Sequence, residues 1–214
     1  MTAWRILIAA LAWTGVAIQY GLMIHDESWA SGSWKTVEFF SYFTILSNVL
    51  AGLALTAPLT SPASRLAIWA EASSTRIATA TYLAITALVY HGLLADIWDP
   101  KGLGLVADTL LHTLTPIAFL ADWLLRGGRG EARWAGAVKA LAFPALFGAW
   151  TLAHGAVTDF YPYPFLDVTK RGYPGVAVMM LAMSAGFLAV ALAFTALHRA
   201  RARLTINPAG PLSA

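Results

Sequence analysis

The run from Pro174 to Leu197 reads PGVAVMMLAMSAGFLAVALAFTAL and contains no charged residue. A bilayer core about 30 Å thick takes about 20 apolar residues in one helix. The stretch therefore reads as a membrane span. Five more stretches read the same way: Trp4 to Met23, Thr36 to Leu55, Ile77 to Leu94, Gly104 to Leu125 and Trp134 to His154. Their apolar runs are continuous rather than alternating, which argues against a β-barrel. The expected fold is an all-α, polytopic membrane protein with six transmembrane helices in one bundle, residues 1–214 forming a single domain. The apolar core of the first span, Ile6 to Met23, is longer than the roughly 7–15 residues of a signal core, so it is expected to be a retained helix.

Composition agrees. Of 214 residues, 58% are hydrophobic and 12% are charged, against about 25% charged in a soluble domain. So few polar groups cannot cover a soluble globule, and the balance is the reverse of a disordered chain. The chain has no cysteine, which removes disulfides, thiol nucleophiles and cysteine metal sites. Gly, Pro and charge clusters separate the spans, and no internal repeat recurs at a fixed period. Short connections between consecutive spans predict antiparallel neighbours.

Net charge is only +3, but its distribution is informative. Arg5, Arg65, Arg76, Arg126, Arg129, Arg133, Lys139, Arg199, Arg201 and Arg203 fall at the end of the bundle that carries both termini. Lys35, Lys101, Lys170 and Arg171 fall at the other. The excess of Lys and Arg places both termini in the cytoplasm. Asp26, Glu27, Glu38, Asp96, Asp99, Asp108, Asp159 and Asp167 all belong to the outer half.

Polar groups inside spans are functional candidates by default. Ser41, Thr44 and Asn48 share one face of the second span. Asp108, His112, Thr115 and Asp122 form a stripe on the fourth. Pro116 has no N–H, so the His112 carbonyl loses its usual partner and a kink is expected there. Thr44 and His112 each lie eight residues inside the outer boundary, roughly 12 Å at 1.5 Å per residue. A hydroxyl beside a neutral imidazole is a nucleophile with its general base. Asp108, one turn above His112, suits the orienting role. Asn48, Ser41 and Tyr42 are candidate donors to a developing oxyanion. His91, His154, Tyr161, Tyr163 and Asp167 are candidates for the pocket wall. Asp122, with Trp123 beside it, reads as an interfacial anchor. Each residue also has a structural reading: a membrane Thr commonly bonds its own i−4 carbonyl, and Ser or Asn can tie helices together.

Three segments, FFSYFTILSNVL, LLHTLTPIAFLADWLL and YPYPFLDV, resemble the family of androgen-induced membrane proteins. That family includes the androgen-dependent regulator of tissue factor pathway inhibitor, and the six-span layout is similar to its bacterial branch. The animal members are threonine hydrolases of fatty acid esters of hydroxy fatty acids. By motif, the resemblance implies that Thr44 is the nucleophile and His112 its catalytic partner. PYPFLD here stands where the family has VYPFLE. The implied partners are membrane lipid and a long-chain lipid ester. No cofactor, metal or nucleic acid is expected. Competing readings are a metal or haem protein using His91, His112 and His154 with Asp96 or Asp159, and a non-catalytic scaffold or transporter.

Overall fold

The computed structural model describes residues 2–25 and 28–206. Asp26 and Glu27, assigned above to the outer half, lie outside the described residues. Among the described residues ten α-helices run in chain order: α1 (Thr2–Ile24), α2 (Trp29–Phe40), α3 (Phe43–Thr60), α4 (Arg65–Glu71), α5 (Ser73–Val89), α6 (Leu103–Thr109), α7 (Thr115–Arg126), α8 (Trp134–Lys139), α9 (Ala142–Thr158) and α10 (Val168–Ile206). Six helical stretches among the described residues are long and apolar enough to cross a membrane: Thr2–Ile24, Phe43–Thr60, Ser73–Ile97, Leu103–Arg126, Trp134–Thr158 and Val168–Leu204. No strand occurs among the described residues. The protein is an all-α, multi-pass membrane bundle. Its lipid-facing surface carries large exposed apolar side chains such as Leu146, Val157, Val178 and Leu181, as expected where the solvent is hydrocarbon.

The second span differs from expectation. It does not run unbroken from Thr36. The chain breaks at Ser41 and Tyr42, and the spanning helix starts at Phe43. The Ser41 hydroxyl donates to the Val37 carbonyl at 2.8 Å, a local bond of the kind that competes with helix continuation. Tyr42 then takes extended angles (φ −95°, ψ 127°). Its ring meets Phe160 and Tyr163 edge-on, with centroids 5.9 and 6.1 Å away. Hydropathy carries straight through FFSYFT, so the break is invisible to it. The third span starts earlier than Ile77: α4 ends at Glu71, Ala72 is extended, and α5 begins at Ser73.

The kink expected at His112 takes the form of a π-helical turn, Leu110–Leu114. The N–H of Thr115 reaches back to the Leu110 carbonyl, one residue further than in an α-helix. A second π-helical turn covers Tyr90–Leu94 on the third span. Such turns frequently mark functional sites. At α10, Gly172 has φ 65° and ψ 161°, and Pro174 follows. The continuous spanning part of this element therefore begins near Pro174, as the sequence suggests.

The expectation that all consecutive spans are neighbours needs correction. The first four pack together: α1 on α3, α3 on α5, α5 on α7, and the fourth span back on α1. The fifth is not a packing neighbour of the fourth; α9 lies against α10, and α10 packs on α5. The connecting segment explains this. Ser73 N–H donates to the Arg129 carbonyl at 2.9 Å, and Arg129 N–H to the Glu71 carbonyl at 2.6 Å. These two bonds pin the loop across the start of α5. The pinned loop delivers α8 to the other side of that helix. Gly128 permits the approach, since a Cβ there would lie 2.5 Å from the Ser73 Cα. Two cores result. One holds Ile8, Leu55, Leu83, Phe119 and Trp123 among the first four spans. The other holds Phe43, Tyr82, Phe147, Tyr163 and Phe187 around spans three, five and six.

Candidate active site

Thr44 is the second residue of α3 and is buried. Its hydroxyl lies 3.2 Å from His112 Nε2, across the bundle on the π-helical turn of the fourth span. The other ring nitrogen, Nδ1, lies 3.0 Å from Asp108 Oδ1 and 3.1 Å from the Asp108 carbonyl. The Asp108 carbonyl can only accept, so Nδ1 is the ring nitrogen that donates. Nε2 is then the free acceptor, and the Thr44 hydroxyl donates to it. The order hydroxyl, imidazole, carboxylate is that of a nucleophile, its base and an orienting acid.

Tyr90 completes the support. Its hydroxyl donates to Asp108 Oδ2 at 2.6 Å, and its ring stacks on His112 with centroids 3.9 Å apart and planes 13° apart. The imidazole is thus held both in its plane and from its face. Sequence reasoning passed over Tyr90. Its position beside His91, near the outer end of the third span, was the available signal.

The Thr44 backbone is fixed as well. Asn48 Nδ2 donates to the Thr44 carbonyl at 2.8 Å and to the Leu111 carbonyl at 3.1 Å. Ser47 Oγ donates to the Thr44 carbonyl at 3.0 Å and lies 3.1 Å from Thr86 Oγ1. These contacts correct two oxyanion candidates. Both amide hydrogens of Asn48 are engaged by backbone carbonyls, so Asn48 ties α3 to the fourth span. The Ser41 hydroxyl donates to Val37 and accepts from Trp150 Nε1 at 2.9 Å, which turns it toward α9. Tyr163 is better placed. The Thr44 N–H donates to its hydroxyl oxygen at 3.4 Å. Burial pushes the Tyr163 phenol up to about 12, against the pull of hydrogen bonds from Thr44 and Phe43. It keeps its proton at neutral pH and remains a donor.

Two cavities meet at Thr44. The wider, about 550 Å³, is lined on one side by Asp108, His112 and Tyr42 and on the other by Tyr161, Asp167 and Lys170. The narrower, about 200 Å³, is walled by apolar side chains including Phe43, Phe147, Met180, Met183 and Phe187. Thr44, Tyr90, Leu94 and Tyr163 line both. Thr44 therefore stands where a chamber of mixed polar and apolar lining adjoins a more apolar one. Asp167 also caps the start of α10, accepting from the Thr169 N–H at 2.9 Å and its hydroxyl at 2.6 Å, with Lys170 at 3.2 Å. The Thr169 hydrogen bond, helped by Lys170, holds the Asp167 carboxyl below its ordinary range against the effect of burial.

The remaining histidine candidates stand apart. His91 is exposed and its Nε2 lies 3.0 Å from Thr113 Oγ1. His154 is buried, stacked on Trp150 at 5.2 Å and edge-on to Phe160, and neither of its nitrogens has a hydrogen-bond partner among the described residues. Neither histidine lines the two cavities. Thr113 engages His91, and Trp150 stacks on His154. Among the described residues, no three His, Asp or Glu side chains come together in a group able to hold a metal ion.

Asp122 corrects another expectation. It is fully buried among side chains and pairs with both Arg76 and Arg126, so it ties helices together rather than facing the lipid boundary. Arg76 is itself 2% exposed, with its guanidinium 4.5 Å over the Phe119 ring.

Comparison of the chain with protein-family models, with curated proteins and with solved structures finds no match in any of the three. A multi-pass helical membrane protein with a buried Thr–His pair is compatible with an intramembrane enzyme.

Proposed function

We propose that the protein hydrolyses long-chain lipid esters inside the membrane, fatty acid esters of hydroxy fatty acids or similar, with Thr44 as nucleophile and His112 as general base. The observation that carries this reading is the 3.2 Å contact between Thr44 Oγ1 and His112 Nε2, with Asp108 on the opposite nitrogen. The two cavities support it, because an ester has two arms. The acyl chain occupies the apolar chamber and the alcohol portion occupies the wider one. Membrane lipid is the medium from which such a substrate enters.

In the first half-reaction Thr44 Oγ attacks the ester carbonyl carbon and its proton passes to His112 Nε2. The carbonyl oxygen becomes an oxyanion beside the start of α3, where the positive end of the helix dipole favours negative charge. The Tyr163 hydroxyl is the side-chain donor in reach. Collapse breaks the ester C–O bond, and the departing alkoxide takes the proton from Nε2. In the second half-reaction water attacks the acyl-threonine, gives its proton to Nε2 and releases the acid as Thr44 recovers its hydrogen. Asp108 and Tyr90 hold the ring throughout.

On this reading both termini are cytoplasmic, the chain resides in a bacterial cytoplasmic membrane, and the site opens toward the outer half. The direct test uses purified full-length protein and a long-chain ester. Wild type releases the acid, and intact-mass analysis finds an acyl adduct mapping to Thr44. Folded Thr44→Ala protein that still cleaves at the wild-type rate overturns the mechanism.

A further inference from the structure

A separate cavity of about 580 Å³ opens at the end of the bundle opposite the Thr44 site. Its walls come from the starts of α1 and α5, the end of α3, α4, and the end of α7 with the glycine loop that follows. Four arginines line it: Arg5, Arg76, Arg126 and Arg129. Glu71 is the single acidic residue in the lining, and Asp122 lies directly behind it. Glu71 pairs with Arg5 at 2.6 Å and Arg129 at 2.5 Å. Asp122 pairs with Arg76 and Arg126, with Arg5 Nε at 3.8 Å. Four guanidiniums thus share two carboxylates, so two positive charges are left uncompensated around the cavity.

Donors are left over as well. Arg5 Nε and Arg76 Nε are buried atoms without a hydrogen-bond partner among the described residues. Arg76 is buried, Arg5 and Arg126 are partly buried and Arg129 is exposed, and guanidinium is the side chain best shaped for an oxyanion of phosphate type. Topological placement asks only for positive charge near the boundary. It does not ask for an arginine 2% exposed in the wall of a cavity. The wall is also rigid, since the Glu71–Arg129 and Ser73–Arg129 backbone bonds and the close seat of Gly128 on Ser73 hold loop and helix together. Ile68 and Leu125 line the same cavity and are 67% and 72% exposed. They supply an apolar rim next to the charged chamber.

We infer that this cavity binds a phosphate-bearing anion, the headgroup of an anionic phospholipid whose acyl chains lie along Ile68 and Leu125. Basic pockets between membrane helices recognise such headgroups. A free phosphate shares the chemistry of the headgroup but has no use for the apolar rim. The inference does not depend on the hydrolase reading, because the cavity shares no lining residue with the Thr44 chambers.

The test uses full-length protein in phosphatidylcholine nanodiscs, with phosphatidylglycerol or inorganic phosphate as the probe and with thermal stability and native mass spectrometry as readouts. Arg126→Gln/Arg129→Gln removes two charges while Asp122 keeps Arg76 and Glu71 keeps Arg5, so folding is preserved. Arg65→Gln/Arg203→Gln removes two exposed charges at the same end as the control. Wild type and control should be stabilised by phosphatidylglycerol and retain it in the gas phase. The pocket variant should bind it roughly tenfold more weakly or worse. Stabilisation by inorganic phosphate as well supports an anion site that needs no acyl chain. Equal responses from pocket variant and control, or no response of wild type to either probe, overturn the inference. Ester hydrolysis is measured in parallel, and its presence or absence bears only on Thr44.

Discussion

Two polar clusters sit at opposite ends of this bundle, and they are built differently. At the Thr44 end the groups form a line: hydroxyl, imidazole, carboxylate, phenol. The hydroxyl at the head of that line borders two cavities. At the arginine end the groups form a mesh. Asp122 takes two arginines and Glu71 another two, and the α4–α5 junction is stapled to the loop behind them. A line with one open end leaves a reactive group exposed to a ligand. A mesh distributes charge so that no single group moves freely. The backbone follows the same division, with two π-helical turns and the α2–α3 break near Thr44 and a locked loop near Asp122.

The contrast predicts that mutations at the two ends fail in different ways. The largest effect is on rate. Thr44→Ala and His112→Ala should each lower ester hydrolysis by on the order of 1000-fold or more, and the double variant should be no worse than either single one, because residues acting as a unit are non-additive. Thr44→Ser should retain part of the activity. Thr44→Ala should also melt close to wild type, which circular dichroism in detergent would check. Unfolding of Thr44→Ala would show that the line is structural after all.

Next is Asp122→Ala, which should do the opposite. It strands Arg76 without its carboxylate in a buried site, at a cost of about 3–5 kcal/mol. The melting temperature should drop sharply, while any folded fraction keeps its turnover per molecule. A thermal shift assay paired with active-site titration separates the two quantities.

Asp108→Asn should reduce turnover by roughly 100-fold with little change in stability. Replacing a triad acid with its amide can cost about 10⁴ through the wrong tautomer. Here the Asp108 carbonyl also accepts from Nδ1, at 3.1 Å, so the tautomer is partly held and the loss is smaller. Comparing kcat for the variant with its melting curve decides it.

The smallest effect concerns specificity. A Cβ at Gly148 would lie 2.6 Å from the Met180 methyl, and both residues line the apolar chamber. Gly148→Ala should push Met180 inward and lower kcat/KM for long acyl chains several-fold relative to short ones, the scale of one methylene in a hydrophobic pocket. An unchanged chain-length profile would mean that the acyl arm lies elsewhere.

Much of this was legible in the residues. Six apolar runs require six helices, because a backbone in hydrocarbon must satisfy its own hydrogen bonds. The segregation of arginine, and the rarity of Thr44 and His112 among apolar neighbours, needed no coordinates either. The break at Tyr42 was not legible, because both sides of it are equally hydrophobic. Nor was the engagement of Asn48 and Ser41, since residue type shows what a group can donate and not which carbonyl claims it. Nor does the chain show that Asp122 pairs with Arg76, 46 residues away, because that contact depends on how the third and fourth spans pack.

The sequence by itself therefore determined the class of fold, the number of spans and the pair of side chains worth suspecting. The first two follow from transfer free energies that depend on residue type and local spacing, and the pair follows from its expected depth and from the motif resemblance. Only the tertiary structure decided that Thr44 Oγ1 reaches His112 Nε2, that Tyr90 backs Asp108, that two cavities join at the hydroxyl, and that four arginines share two carboxylates around a third. Those arrangements depend on which helices pack together, here with the fourth span against the first and the fifth carried across by a pinned loop. Contacts between distant residues are selected by the packing of whole helices, and no local pattern in the chain encodes that choice.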